Sequence, residues 1–189
     1  MNIISYRKTN GALPIGHAEL NGALYHASPR KDLEVLVPMS KTVRDAKEGP
    51  VIFATPDISY ATTFLIRTED TWAVGAVIKN VHTMIVSDKE RFFGSDKGGA
   101  IYELLPKTFT CDLTKSGREK EWVSKIPVYP TKVTHYKSSI DAMLVHFVQL
   151  YFVTKNEYQT IISSTDYGYN FLTLCQSYNQ QVNKNVRIL

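Results

Sequence analysis

Between Ala23 and Tyr136 the apolar residues come in short runs, and proline or glycine ends most of them. Ala23–Ala27 is followed by Ser28-Pro29, Asp32–Val37 by Pro38, Val51–Thr55 lies between Gly49-Pro50 and Pro56, and Ala100–Leu105 stops at Pro106. A proline lacks the N–H that a helix interior or a central strand requires, and glycine weakens both. No long helix fits into this part of the chain. The spacing predicts a series of short strands with one modest helix, an α+β fold.

In chain order, residues 1–22 read as an irregular lead-in with a short edge strand at Asn2–Tyr6. A strand at Ala23–Ala27 follows, then a second short strand or extended segment at Asp32–Val37, where alternation places Leu33, Val35 and Val37 on one side. Lys41–Gly49 is polar and predicts an exposed loop or a single helical turn. Val51–Thr55 is a strand, and Thr55 or Asp57 caps a helix over Ile58–Ile66 whose one face carries Tyr60 and Phe64, four residues apart. Strands are expected at Trp72–Ile78, Val81–Val86, Ala100–Leu105, Phe109–Leu113, Glu121–Ser124 and Val128–Tyr136. Arg91–Gly99, rich in glycine, predicts a mobile loop, and Lys115–Lys120 a charged connection.

At Ser138 the pattern changes. Ser138 followed by Asp141 resembles a capping box, and Ile140, Met143, Leu144, Phe147 and Tyr151 fall on one stripe, which predicts a long amphipathic helix over 139–154. The apolar residues beyond it, from Tyr158 to Cys175, suit one or two more helices. The chain thus divides into an α+β core over 1–136 and a helical segment over 137–189 packed on it.

Composition bounds the function. The 189 residues suit one domain or a domain with an appendage. With 43% hydrophobic and 21% charged residues and a net charge of +4, neither disorder nor a dedicated nucleic-acid binder is indicated. Cys111 and Cys175 show no metal-ligand spacing, so no metal is expected. The longest apolar run, Ala142–Val153, falls short of the roughly 20 residues of a membrane span. Arg7, Lys8 and Asn10 interrupt the first residues too soon for a secretory signal. A protein of the cytoplasm is the expectation.

The residues able to carry chemistry are few. His26 lies on a strand that ends in a small residue and a break, which leaves room beside it for a polar ligand. A half-buried histidine bonded to backbone is the plainer alternative. Tyr60 and Phe64 serve either a core or a ligand-stacking face, and Glu119, Glu121 and Glu103 are acidic candidates. Lys97-Gly98-Gly99 lacks the phosphate-binding GxxxxGK[ST] pattern and reads as a turn. His17, His82, His135 and His146 read as structural or surface residues.

Leu24-Tyr25-His26-Ala27-Ser28 resembles the His-Gly-Ser/Thr strand of the ADP-ribosyltransferase superfamily, in the branch of diphtheria toxin and the poly(ADP-ribose) polymerases. Gly49–Ala54, with its aromatic-bearing helix, resembles that branch's Gly-Ile-Tyr-Phe-Ala strand, and Glu121-Trp122-Val123 its Glu-aromatic-Val strand. The three stand in the same order across residues 23–136. The resemblance implies a split β-sheet core holding NAD⁺ as substrate, with transfer of ADP-ribose to an acceptor that is protein, nucleic acid or small molecule. It implies that His26 bonds the adenosine-side ribose, that the Ala27 backbone meets the cofactor amide, and that Ser28 lines the same wall. Tyr60 or Phe64 would stack on the nicotinamide, and Glu121 would contact the nicotinamide ribose as the catalytic carboxylate. Ala27 departs from the pattern, which has glycine there, and Phe64 fits the family's offset slightly better than Tyr60. Two other readings stay open. One is a non-catalytic NAD-binding or interaction module; the other is an RNA 2′-phosphotransferase, which would draw on Arg30, Arg44 and Arg67.

Overall fold

The computed structural model describes residues 22–39, 49–111, 121–166, 168–175 and 177–179. The lead-in with the edge strand Asn2–Tyr6, most of Lys41–Gly49, the connection Lys115–Lys120 and Glu119 lie outside them. Three small sheets and a few short helices make up a mixed α+β fold. The first sheet pairs β1 (Leu24–Ser28) with β5 (Gly99–Leu104) and β5 with β8 (Lys132–Tyr136), all antiparallel. In the second, β2 (Ile52–Ala54) and β6 (Thr110–Cys111) flank β7 (Trp122–Ser124), again antiparallel. The third is mixed: β4 (Val81–Val86) is antiparallel to β3 (Ala73–Ile78) and parallel to β9 (Gln149–Phe152).

Sheets one and two meet at a backbone pair. Tyr25 and Thr55 exchange N–H···O bonds of 2.7 and 3.0 Å, so the end of β2 is tied to β1. Leu24, Tyr102 and Leu104 from one sheet and Ile52, Ala54 and Trp122 from the other close a common core. On the far side of the first sheet, Tyr25, Ala27 and Ile101 pack with Ala61 and Leu65 of the α1 (Ile58–Thr63) region and with Ala142 of α3 (Ser139–Val145). The third sheet is covered on one face by Phe92, Ile140 and Met143 and on the other by Tyr158, Ile161 and Leu172.

Local signals placed several elements well. Asp57 caps α1, accepting from the N–H groups of Ser59 and Tyr60. Lys79 and Asn80 both have positive φ, the conformation a two-residue hairpin turn needs between β3 and β4. Gly98, at φ +68°, lies so close to the carbonyls of Tyr136 and Lys137 that an added Cβ would overlap them, which makes it a structural turn.

Three expectations are corrected. The long helix over 139–154 is only α3: Ser138 caps it as read, but Phe147 turns into the left-handed region at φ 63° and is 80% exposed. The chain then runs on as β9, because pairing with β4 buries Val148 and Leu150 completely, and aromatic and β-branched residues suit a strand. Helices α4 (Lys155–Ser163), with a full capping box at Thr154 and Glu157, and α5 (Tyr169–Leu172) follow. The mobile loop over Arg91–Gly99 is in part α2 (Lys89–Gly94), capped by Asp88 and anchored by the buried Phe92. Asp32–Val37 forms no strand: Leu36 is the buried residue, through a bridge to Val128, and Val37 faces out. The bridge from Leu36 to Val128 and the packing of Leu33 and Leu36 on one core, rather than strict alternation, mark its inner side.

Candidate functional site

The three sheets converge around the N-terminus of α1. Leaving β2, the chain crosses Thr55 and Pro56 and enters the helix at Asp57, so Tyr60 sits one turn in. Glu121 immediately precedes β7, and the register of Ala54 opposite Trp122 brings it beside that crossing. The Tyr60 hydroxyl donates to Glu121 Oε1 at 2.7 Å, joining residues 61 positions apart in sequence. Phe64, the residue after the last turn of α1, lies edge-on to Tyr60 with centroids 5.0 Å apart and is more than half exposed.

The opposite face of this junction belongs to His82. Along β4, His82, Met84 and Val86 alternate onto one side of the third sheet, and His82 is 6% exposed. Its ring stacks on Tyr60 at 5.1 Å and 19°. Its Nε2–H donates to Asp57 Oδ2 at 2.9 Å, while Asp57 Oδ1 holds the N–H groups of Ser59 and Tyr60. Asp57 therefore serves two purposes: it caps the helix and it satisfies a buried imidazole.

His26 enters from the first sheet. Its side chain lies on the face of β1 shared with Leu24, and its Nδ1 donates to the Phe53 carbonyl at 2.7 Å. Since a carbonyl only accepts, this bond fixes the proton on Nδ1, and the neutral ring offers Nε2 as an acceptor. Burial holds the His26 pKa below its usual value, with the Phe53 bond opposing. His146, whose Nε2 is 2.8 Å from the Tyr136 hydroxyl, is lowered for the same reason. A base whose folded pKa is depressed takes up its proton first in the unfolded chain. Stability is then complete above the ordinary histidine value of 6.5 and is lost as pH falls below it. The melting temperature is expected to drop between about pH 7.5 and about pH 5.5, and less steeply in His26→Gln; a flat profile for the native protein contradicts this.

Of the remaining sequence candidates, Ser28 accepts from the Arg30 N–H at the end of β1, and Ala27 packs its methyl group with Ala61 and Leu65, away from the His26 face. The alanine that departs from the glycine pattern is thus accommodated by the helix side of the sheet. Glu103 is opposite Tyr25 and Lys132 in the first sheet, on the face of β5 away from Tyr102, and its carbonyl receives the Thr131 N–H. It is not brought to Tyr60. Among the arginines, Arg30 pairs with the exposed Asp32, Arg67 is exposed, and Arg44 is outside the described residues.

No family model matches the chain, and no curated protein or solved structure matches it. Among the described residues no group of three or more His, Cys, Asp or Glu could hold a metal ion, and no helix is long and apolar enough to cross a membrane. The role of His82 was not legible as chemistry. The available signal was a histidine on a strand face otherwise made of Met84 and Val86, which by itself indicates only a buried imidazole needing a partner.

Proposed function

We infer that the protein is an NAD⁺-dependent ADP-ribosyltransferase that releases nicotinamide and passes ADP-ribose to an acceptor. The observation carrying this reading is the 2.7 Å bond from Tyr60 to Glu121, which joins the aromatic and the carboxylate that the resemblance to that superfamily singles out. β1 and β2 are joined by the backbone pair of Tyr25 with Thr55 and by the bond from His26 to Phe53, which in this reading sets His26 on one wall of the site and Glu121, beside β7, on the other.

In this reading His26 accepts a ribose hydroxyl at Nε2, and the backbone of Ala27 with the Ser28 side chain lines the wall beside it. Tyr60 and Phe64 form the aromatic wall that holds the pyridinium, an attraction of roughly 0.5–2 kcal/mol. Breaking the bond from nicotinamide to ribose builds positive charge on the sugar. The Glu121 carboxylate stabilises that charge more than it stabilises the bound ground state, which lowers the barrier. Its hydrogen bond from Tyr60 keeps one oxygen oriented while the sugar approaches.

The test is direct. The purified protein incubated with NAD⁺ is expected to release nicotinamide, and NAD⁺ at about 100 times its Kd raises stability by about 2.7 kcal/mol. Stabilisation without release would favour a binding module. The absence of both overturns the NAD⁺ reading.

A further inference from the structure

We propose that His82 is a positioning residue for the candidate site: through Asp57 and through its own ring it fixes where the Tyr60 hydroxyl, and hence the Glu121 carboxylate, stands. The inference deepens the transferase reading and rests on it for its kinetic consequence, though not for its geometry.

Three observations carry it. The imidazole is held from two directions, by the 2.9 Å bond to Asp57 Oδ2 and by its place on β4, whose following residues Thr83 to Val86 are all buried. A side chain so enclosed has few other rotamers available. Its ring covers one face of Tyr60 in a stacked arrangement, with Phe64 against the edge, so the tyrosine ring is bracketed before any ligand arrives. The same Asp57 that holds His82 also holds the Tyr60 backbone N–H at 3.3 Å, so the base of the Tyr60 side chain and the plane of its ring are set by one connected unit.

The chain of contacts runs His82, Asp57, Tyr60, Glu121, and it draws on the third sheet, the helix and the second sheet in turn. A carboxylate that must face a developing positive charge gains from this arrangement, because a misplacement of about 1 Å can cost about 10²-fold in rate. His82 touches neither the sugar nor the leaving group in the proposed reaction. It acts through Asp57 and Tyr60.

The experiment uses the full chain labelled with tyrosine carrying ¹³C at the ring carbon bonded to oxygen. Tyr60, one of eleven tyrosines, is assigned by the signal lost in Tyr60→Phe. In His82→Ala the Tyr60 signal is expected to move toward its position in Glu121→Gln, and in His82→Gln, which can still donate to Asp57 but lacks the stacked ring, to move less far. Nicotinamide release should fall in His82→Ala by up to about 10²-fold in kcat with a smaller change in KM, and recover in part in His82→Gln. Where His82→Ala lacks a cooperative melt, His82→Phe is read instead: it keeps a ring on Tyr60 and removes the donor to Asp57, so the Tyr60 signal is expected to move in the same direction by a smaller amount. A Tyr60 signal unmoved in the folded variant overturns the proposal. A native protein that releases no nicotinamide while the signal moves as expected overturns the transferase reading and leaves the positioning role standing.

Discussion

Glu121→Gln is expected to lower nicotinamide release by about 10²–10³-fold at saturating NAD⁺, the size of effect seen when one preorganised electrostatic contact to a transition state is removed. The substitution keeps the shape of the side chain and an oxygen able to accept from Tyr60 at the 2.7 Å contact, so the site's geometry should survive. What it removes is the negative charge. Since that charge matters most when the ribose carries positive charge, the loss should fall on kcat, while the shift in melting temperature caused by NAD⁺ persists. Glu103→Gln is the matched control: this residue lies in β5 between Tyr25 of β1 and Lys132 of β8 and should leave the rate unchanged. Equal rates for the native protein and Glu121→Gln would remove Glu121 from the chemistry and with it the reading built on it.

Asp57→Ala carries the largest expected effect on stability. Two separate interactions are lost. The N-cap of α1 disappears, at about 0.5–2 kcal/mol, and the buried His82 ring loses a charged acceptor, at about 1–3 kcal/mol. Together these give about 1.5–5 kcal/mol, a fall in melting temperature of roughly 3–20 °C for a chain of this size. Asp57→Asn separates the two, because asparagine caps a helix as well as aspartate does while lacking the carboxylate that faces His82. It should recover the capping share alone. A loss in Asp57→Ala no larger than a cap is worth would show that the His82 contact adds nothing to the fold.

Short strands bounded by proline and glycine were legible because those residues act locally, through a missing N–H or a permitted φ. The helix starts at Asp57 and Ser138 follow the same logic, since a cap is satisfied within three residues; the start at Thr154 lay hidden inside the stripe read as one long helix. The end of α3 was not legible. Ile140, Met143, Leu144, Phe147 and Tyr151 make a good helical stripe, yet burying Val148 and Leu150 against β4 requires the chain to turn outward at Phe147, and β4 is more than 60 residues away in sequence. The Asp32–Val37 segment failed similarly, its inner side being marked by the bridge to Val128.

For the candidate site, the sequence by itself determined which residue types were available and in what order: His26 on the first strand, Tyr60 and Phe64 on one helical face, Glu121 at the head of a strand. Periodicity and punctuation are properties of neighbouring residues, so a single chain carries them openly. Only the tertiary structure decided that Tyr60 meets Glu121, that His26 turns its proton toward Phe53, and that His82 stands behind the tyrosine. Each of those contacts spans 22 or more positions and depends on how three small sheets share one helix end, which no local pattern encodes.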